Sequence, residues 1–325
     1  MPNTDPANRI AVILPAYNES ATIAPTIEAF YAQLPDAEFI VVDNNSSDDT
    51  GAIAQSTIQR LGARGHVINE PRQGKGNAVR RAFLTIDADI YILADADLTY
   101  PAEQVHELIQ PVAQGHADMV VGDRHSGGQY SSENKRLFHS FGNTLVQWLV
   151  NRLFGASLVD IMSGYRVFNR TFVKSYPILV EGFQVETDMT LHSLHRRMRI
   201  IEIPVAYRDR PVGSESKLNT FADGARVIFT IAQILRYYRP LIFFMTLSFI
   251  FAAAGFIAAL PVFHDWITER YIHHVPLAVL AAAFEIVAFL LLAVALILDS
   301  ITHHEKMRTE LHQLDLEGNR TRQQP

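Results

Sequence analysis

The stretch IYILADADLTYP, at Ile90–Pro101, indicates the fold that this chain adopts. Its first five residues are apolar, which predicts a buried strand, and Pro101 predicts the first position of a helix. Two carboxylates, Asp95 and Asp97, stand between these elements, at the carboxyl end of the strand. Because ligands bind beyond the carboxyl ends of the strands in an open parallel sheet, this pair is the first candidate for a binding site.

The acidic pair has the chemistry of a divalent-cation site. Hard cations such as Mg²⁺ are commonly held by one or two carboxylates together with phosphate oxygens and water. Asp95 and Asp97 could therefore ligate Mg²⁺ or Mn²⁺, directly or through water. The alternative is an acidic loop whose charge stabilises the start of the following helix.

Strands and helices alternate along the first 125 residues, and this alternation predicts a doubly wound α/β domain. A later apolar run at residues 200–207 predicts one more strand. The other strands predicted in the first part of the chain lie at residues 9–14, 39–43, 66–70 and 118–124.

A short glycine motif, Gly74-Lys75-Gly76, follows the third predicted strand and opens a helix. Glycines in this position let backbone N–H groups approach an anionic ligand at a helix N-terminus. The motif is neither a dinucleotide fingerprint nor a P-loop. Lys75 either assists a diphosphate or is a solvated surface lysine, and the sequence leaves both interpretations open.

Three motifs together carry a family resemblance: IAVILPAYNE at Ile10–Glu19, FIVVDNNSSDDT at Phe39–Thr50, and Asp95-Ala96-Asp97. They resemble the nucleotide-sugar half of inverting family-2 glycosyltransferases of the GT-A fold. Within that group the chain is most similar to polyprenyl-phosphate enzymes of the dolichyl-phosphate mannose synthase type. The resemblance implies that Asp43 contacts the nucleotide base. It also implies that Pro15, Tyr17 and Glu19 line the nucleotide pocket. Asp95 and Ala96 are assigned to the same nucleotide-sugar site, with Lys75 as a candidate beside them, and Asp97 is assigned a catalytic role together with its place in the metal site.

The resemblance also implies a site for the phosphate of the acceptor. In the resembled enzymes two arginines and a serine hold this phosphate, and the matching positions here are Arg124, Arg136 and Ser140. Arg136 and Ser140 are four residues apart and thus share a helix face, and a guanidinium with a hydroxyl suits a phosphate monoester. Similarity to the lipid-phosphate branch makes Asp188 the acid that faces the acceptor. Glu186 is interpreted as negative charge at a helix N-terminus.

Residues 208–217 correspond to a loop that closes on the nucleotide diphosphate in the resembled enzymes. The implied phosphate contacts are Arg210 and Lys217. Because the loop is one residue longer here than its shortest form, Arg208 is the alternative to Arg210.

The C-terminal third of the chain predicts a transmembrane hairpin. Residues 241–263 carry no charged side chain and residues 275–298 carry one, Glu285, and each run is long enough to span a bilayer. The linker at residues 264–274 is too short for anything but a turn, so both flanks must lie on one membrane side. Positive charges concentrate on those flanks, which predicts a cytoplasmic location for them.

These patterns divide the chain into five expected parts. The predicted fold class is α/β, and the resemblance implies a GT-A, Rossmann-like nucleotide-sugar domain with interfacial amphipathic helices, followed by the hairpin. The parts are a disordered N-terminus at residues 1–8, the glycosyltransferase domain at 9–218, an interfacial helix at 219–239, the hairpin at 240–299, and a polar cytoplasmic tail at 300–325.

Composition limits the partners that the chain can have. A hydrophobic content of 48% with 19% charged residues favours membrane association, and a net charge of −6 offers no general basic surface for nucleic acid. The chain has no cysteine, which excludes disulfides and thiolate metal sites. A homo-oligomer through the hairpin is possible, with Glu285 paired inside it.

The function that the resemblance implies is metal-dependent, inverting transfer of one sugar in cell envelope glycan synthesis. The expected donor is a UDP- or GDP-sugar, and the expected acceptor is a polyprenyl phosphate at the cytoplasmic face of the inner membrane. A processive polysaccharide synthase is excluded, because its Gln-X-X-Arg-Trp motif is absent. Two alternatives remain: transfer to a glycerolipid or glycan hydroxyl, and a catalytically silent membrane scaffold.

Overall fold

Seven strands form one mixed sheet in the N-terminal part of the protein. The computed structural model describes residues 8–126, 137–182, 184–207 and 231–323. The chain divides into two compact units after residue 223, and each is described by itself. The strands of the first unit are β1 Ile10–Ala16, β2 Glu38–Asp43, β3 Arg64–Asn69, β4 Ile90–Leu93, β5 Met119–Asp123, β6 Arg166–Asn169 and β7 Ile200–Pro204.

The order of the strands across the sheet is β3-β2-β1-β4-β6-β5-β7. Only β6 runs antiparallel to its neighbours, β4 and β5; every other pair is parallel. The predicted α/β sheet is therefore confirmed, with one reversed strand in it. Because the remaining strands point the same way, their carboxyl ends meet at one edge of the sheet.

Helices cover both faces of this sheet. The prediction that Pro101 occupies the first position of a helix is wrong by one residue, because Pro101 precedes a short 3₁₀ turn at Ala102–Gln104 that leads into α4. The helices of the first unit are α1 Ile23–Gln33, α2 Thr50–Leu61, α3 Lys75–Thr85, α4 Val105–Ala113, α5 Leu137–Phe154, α6 Arg170–Ser175 and α7 Val185–His195.

The core consists of two apolar layers, one on each face. Val12 and Ile92 point to the layer formed with α1, α2 and α4. Ile13 and Leu93 point to the layer formed with α3, α6 and α7. All four side chains are fully buried, as expected for parallel strands that are covered on both sides. This double burial explains why the strands appear in the sequence as continuous apolar runs.

The second unit contains two long helices, α8 at Pro240–Glu269 and α9 at Val275–Gln323. Both contain a segment that is long and apolar enough to cross a membrane, at Pro240–Glu269 and Val275–Glu305. The linker predicted at residues 264–274 is shorter in the structure, because α8 continues to Glu269. The predicted polar tail continues α9 without a break as far as Gln323. Residues 231–238 of the predicted interfacial segment are helical.

Small residues let α8 and α9 pack closely. A Cβ atom on Gly255 would lie 2.7 Å from Glu285 Oε1 and 3.2 Å from the carbonyl oxygen of Ala281, so any larger residue would require the Glu285 side chain and the α9 backbone to shift. Ser248 Oγ donates to the carbonyl of Ala288 at 2.8 Å. Such contacts are typical of helix pairs in membranes, where small residues allow the backbones to approach. Glu285 thus faces α8 within this hairpin.

The turn between α8 and α9 is held by Asp265. One oxygen of its buried carboxylate accepts from the backbone N–H of His273 at 2.9 Å and of His274 at 3.1 Å. The same oxygen lies 2.8 Å from His274 Nδ1. Asp265 therefore fixes the two residues that immediately precede α9.

Candidate active site

The predicted acidic pair lies at the carboxyl end of β4. Asp97 is 3% exposed, and its Oδ1 accepts from the backbone N–H of Thr99 at 3.2 Å and from Thr99 Oγ1 at 2.6 Å. Leu98, which lies between Asp97 and Thr99 in the chain, has a φ of 64°, in the left-handed region that non-glycine residues rarely adopt. The hydrogen bonds therefore hold a strained turn and fix the orientation of the Asp97 carboxylate.

Lys75 lies between two carboxylates at this edge. Its ammonium contacts Asp95 Oδ1 and Glu186 Oε1. The Lys75 side chain is 9% exposed and that of Glu186 6%, whereas Asp95 keeps 27%. Burial alone would lower the pKa of Lys75, but the charges of Asp95 and Glu186 outweigh it and raise the pKa above its ordinary value. Of the two interpretations of Lys75, the solvated lysine is wrong.

The glycines around Lys75 serve a contact within the protein. A Cβ on Gly74 would lie 2.1 Å from the carbonyl oxygen of Glu181, and a Cβ on Gly76 1.9 Å from that of Val180. The N–H of Gly76 donates to the Glu181 carbonyl at 2.9 Å. The prediction that these glycines present N–H groups to an anionic ligand is therefore wrong for this structure. They admit another backbone segment instead.

Gly164 brings a second loop against the acidic motif. A Cβ at this position would lie 2.8 Å from Asp95 Oδ2 and 2.9 Å from Lys75 Nζ. The Gly164 N–H donates to the hydroxyl of Tyr100 at 2.8 Å. Burial raises the pKa of Tyr100 above its ordinary value, so the phenol stays protonated. Sequence reasoning missed both residues; the Ser-Gly pair at 163–164 was the only local signal.

Arg166, at the start of β6, anchors this loop to α7. Its guanidinium is fully buried and donates to the carbonyls of Ser163 and Ile161, each at 2.8 Å, and to Thr190 Oγ1 at 3.0 Å. Burial lowers the pKa of Arg166 from its ordinary value. Since α7 also carries Glu186, one buried cation connects the loop to the helix that supplies a partner of Lys75.

The two acids at the start of α7 have different partners. Glu186 reaches Lys75, so its interpretation as helix-end charge alone is wrong. Asp188 Oδ2 accepts from the hydroxyl of Tyr176 at 2.7 Å. Residues two apart on a helix point in different directions, and the buried side of α7 holds Glu186. No local sequence pattern indicates which of the two acids lies on the buried side and contacts Lys75.

Arg124, predicted to bind the acceptor phosphate, follows β5 and pairs with Asp160. Its Nε lies 2.7 Å from Asp160 Oδ2 and its Nη2 3.0 Å from Oδ1, a bidentate contact. The ring of Tyr207 lies 5.6 Å from the guanidinium carbon. Burial alone would raise the pKa of Asp160, but Arg124 outweighs it and lowers the pKa. Asp160 thus fixes the orientation of Arg124; acceptor binding stays a prediction.

The residues predicted to line the nucleotide pocket gather beyond β1 and β2. Pro15 lies in β1 in register with Val42 of β2. The Tyr17 hydroxyl accepts from Gln73 Nε2 at 3.2 Å, and Glu19 Oε2 accepts from Thr22 Oγ1 at 2.8 Å. The contact between Tyr17 and Gln73 places this segment beside the loop that leads to Lys75.

Asp43 ends β2 and contacts the start of α2. Its Oδ1 accepts from the Ser46 N–H at 3.0 Å, and a Cβ on Gly51 would lie 2.7 Å from its Oδ2. The next residue, Asn44, is buried and was missed as a site residue. Its Nδ2 donates to the carbonyl of Arg72 at 2.7 Å, and its Oδ1 accepts from the N–H of Gly74 at the same distance. Asn44 therefore fixes the loop that positions Lys75.

Four of the predicted site residues cannot be placed by their side chains. Ser140 lies in the first part of α5, residues 137–143, where the backbone alone is described. Arg136, Arg210 and Lys217 lie outside the described residues. Ala96 is buried, and its carbonyl accepts from Thr26 Oγ1 at 3.3 Å, so it holds the acidic motif against α1.

A model of a known protein family covers most of the sheet and the acidic pair. The model described as Glycosyl transferase family 2 matches residues 11–176 of this chain, which include β2 to β6 and all of β1 except its first residue. The chain belongs to glycosyl transferase family 2. This family 2 protein is a glycosyltransferase, and its sheet with one reversed strand is that of the GT-A fold.

Individual relatives support this assignment over most of the chain. "Glycosyltransferase AglJ" of Haloferax volcanii is 30% identical over 95% of this chain and 98% of its own length. The "Dolichyl-phosphate hexose transferase" of the same organism is 31% identical, over 69% and 93% respectively. Among solved structures, glucosyl-3-phosphoglycerate synthase of Mycobacterium tuberculosis, in complex with Mn²⁺, uridine-diphosphate and phosphoglyceric acid, is 26% identical with a TM-score of 0.53. That match covers 70% of this chain and 78% of the other.

The donor atoms at the acidic motif fit a hard divalent cation. In the described part of the chain, no group of three or more His, Cys, Asp or Glu side chains could hold a metal alone. A cation at Asp95 and Asp97 would therefore complete its shell with water and ligand oxygens, as Mg²⁺ commonly does. Asp95 Oδ1 already contacts one positive charge, the ammonium of Lys75.

Proposed function

We propose that this glycosyltransferase moves one sugar from a nucleotide diphosphate sugar to a polyprenyl phosphate, with inversion and with Mg²⁺ or Mn²⁺. The observation that carries the proposal is the acidic edge, where Asp95, Asp97 and the buried Lys75–Glu186 pair meet beyond β4. The name of the dolichyl-phosphate relative supports a lipid phosphate as acceptor. Two helices of membrane-spanning length support an acceptor that is dissolved in the bilayer.

The donor diphosphate would lie beyond β4, with its base toward Asp43. Asp95 and Asp97 would hold the divalent cation. When bound, the cation supplies positive charge that opposes the charge on the departing diphosphate. Lys75 adds a second positive charge to this place, and Arg210 and Lys217 are proposed to add more from the loop after β7. The donor could carry UDP or GDP, since no described contact distinguishes the two bases.

The acceptor phosphate would lie toward the end of β5. Arg124 is held there by Asp160 in a fixed orientation, and Arg136 with Ser140 is proposed to complete the phosphate site. Guanidinium groups suit this ligand because they form paired, charge-assisted hydrogen bonds with phosphate oxygens. The arginines would also favour the dianionic form of the phosphate, which is the better nucleophile.

The acceptor is tested with purified enzyme in detergent. Radiolabelled UDP- and GDP-sugars are supplied in turn with undecaprenyl phosphate, undecaprenol or diacylglycerol, and label in the lipid fraction is counted. We expect label in the lipid fraction only when undecaprenyl phosphate is the acceptor, and only with sugars of one nucleotide, either UDP or GDP. Transfer to either lipid alcohol at a similar rate would overturn the phosphate acceptor. Nucleotide binding without transfer to any of the three lipids would also overturn the phosphate acceptor, and would leave a glycan hydroxyl acceptor and the silent scaffold as the remaining alternatives.

We also propose that α8 and α9 form a transmembrane hairpin whose two ends lie in the cytoplasm. Reporter fusions at Asp5 and at Gln323 should then both give cytoplasmic signals, because two spans return the chain to the side from which it started. A fusion within residues 270–274 should report the opposite side. Opposite signals from the two terminal fusions would contradict the hairpin.

The function of Asp188 follows from the chemistry of the acceptor. A hydroxyl acceptor must lose its proton during attack and needs a general base, whereas a phosphate monoester has a second pKa of about 6 and is largely dianionic at neutral pH. We therefore expect Asp188→Asn to retain measurable transfer, since asparagine can still accept from the Tyr176 hydroxyl. Asp188→Ala should lose more activity. The measurement is kcat with each variant at saturating substrates.

Tyr176→Phe is the matched variant for this experiment. It removes the hydroxyl that Asp188 accepts from and leaves the carboxylate in place. If Asp188 positions a substrate or a neighbouring side chain, Tyr176→Phe and Asp188→Asn should have similar, moderate effects. If Asp188→Asn abolishes turnover while both substrates still bind, Asp188 is a general base and a hydroxyl acceptor is the better assignment.

A further inference from the structure

Lys75 and the divalent cation require the same carboxylate. We propose that Lys75 is an internal counter-ion of Asp95, which makes binding of the cation depend on the diphosphate of the donor. In the free enzyme the ammonium neutralises Asp95. When the diphosphate binds, Lys75 moves to a phosphate oxygen and Asp95 becomes available to the metal. The proposal rests on the proposed function, since it takes the diphosphate and the cation as ligands.

The geometry of the cluster sets up this competition. The ammonium of Lys75 contacts Asp95 Oδ1, and the backbone of Gly164 closes over both groups. A divalent cation on Asp95 would therefore lie next to a buried ammonium. Like charges at such short range repel strongly in a partly buried site, where water screens them less than in bulk. Either the ammonium leaves Asp95 or the metal binds weakly.

The diphosphate removes this conflict. Its oxygens accept hydrogen bonds from an ammonium and at the same time provide ligands for a hard cation. Lysine carries its charge on a flexible four-carbon stem, so Nζ can move from a carboxylate to a phosphate without a backbone change. Glu186 contacts the same ammonium from α7. It would retain Lys75 in the site during this exchange.

The exchange predicts positive coupling between metal and nucleotide. If the diphosphate raises the affinity for the cation, the cation must raise the affinity for the diphosphate by the same factor. Some coupling is expected at any site where a phosphate ligates the metal. Lys75 accounts for the share of this coupling that is lost when the ammonium is removed without changing the net charge of the site.

The cluster offers a charge-balanced test. Lys75, Asp95 and Glu186 together carry a net charge of −1, and the double variant K75M/E186Q leaves Asp95 with the same −1. Mn²⁺ binding to the purified full chain is measured by electron paramagnetic resonance, without nucleotide and with UDP or GDP. We expect K75M/E186Q to bind Mn²⁺ alone at least about tenfold more tightly than the unaltered enzyme. The factor by which UDP or GDP increases the Mn²⁺ affinity of this variant should be correspondingly smaller.

A second double variant and a distant lysine serve as controls. K75Q/E186Q has the same net charge and keeps a polar group beside Asp95, so it answers the question if the methionine variant fails to fold. Lys174, whose Nζ donates to the carbonyl of Ile86 and lies 3.5 Å from Asp87, belongs to a separate cluster. Lys174→Met should leave Mn²⁺ affinity unchanged with and without nucleotide.

The outcomes separate this proposal from the proposed function. If folded double variants bind Mn²⁺ alone no more tightly than the unaltered enzyme, the counter-ion proposal is overturned. Mn²⁺ affinity of the unaltered enzyme that is the same with and without UDP or GDP also overturns it. If the unaltered enzyme binds Mn²⁺ under no condition, the metal requirement of the proposed function fails instead.

Discussion

Replacing Asp97 with asparagine is expected to lower turnover by about a hundredfold or more. Asparagine keeps an oxygen that can accept both hydrogen bonds from Thr99, so the turn after β4 should persist. What it loses is one negative charge at the proposed metal site. A loss of about 3 kcal/mol of transition-state stabilisation corresponds to this factor. The measurement is kcat with saturating donor and acceptor, together with the affinity for the nucleotide.

Two comparisons make this result specific. Thr99→Val removes one hydrogen bond to Asp97 without removing the charge, and should have a much smaller effect on kcat. Asp87→Asn removes an exposed carboxylate that pairs with Arg170 and Lys174, and should have none. Full activity of the unaltered enzyme in EDTA, or an Asp97→Asn enzyme with normal turnover, would contradict the assigned role.

Arg166→Met is expected to lower the free energy of unfolding of the N-terminal unit by roughly 1–3 kcal/mol. The substitution leaves the carbonyl of Ser163 buried without its donor, a loss that typically costs this amount, whereas the carbonyl of Ile161 keeps a longer contact with Thr190 Oγ1 at 3.3 Å. Activity should fall with stability, because the same guanidinium holds the loop that lies against Asp95. Denaturant unfolding, followed by a probe in the sheet, measures the change.

Arg170→Met is the matched comparison for this prediction. Arg170 begins α6, four residues along the chain, but it is partly exposed and pairs with the exposed Asp87. Surface ion pairs of this kind typically contribute about 0–1 kcal/mol. Equal stability of the two variants would show that the buried guanidinium is not what fixes the loop. An Arg166→Met protein that is as stable as the unaltered enzyme but inactive would show that Arg166 acts only by positioning the loop.

The sheet was predictable because its strands are buried on both faces. Such strands are continuous apolar runs in the sequence, and the side chains that end them must gather at one edge. The amino-acid sequence alone therefore places Asp43, Asp95 and Asp97 at that edge. It does not reveal the reversal of β6, since a short apolar run has the same appearance in either direction.

The partners of the site residues were not predictable, because each comes from a distant part of the chain. Nothing in the sequence around Lys75 indicates that Glu186 pairs with it, or that Asp160 holds Arg124. The glycines beside Lys75 show a different limit. A glycine indicates that something approaches the backbone closely, but it does not say whether that is a phosphate or another chain segment, and here it is residues 180–181.

The reversed strand β6 has a consequence for how this enzyme can change. Because β5 and β6 are antiparallel, residues 124–165 leave the sheet and rejoin it at the same edge, the one that carries the acidic pair. This excursion includes α5 and the residues proposed to bind the acceptor phosphate, Arg124, Arg136 and Ser140. The stretch between Arg124 and Asp160 can vary in length and composition through evolution without shifting the pairing of any strand, whereas residues 160–164 are fixed by their contacts with Arg124, Arg166 and the acidic motif. Acceptor preference can therefore diversify within that stretch, while the donor half of the domain stays constant.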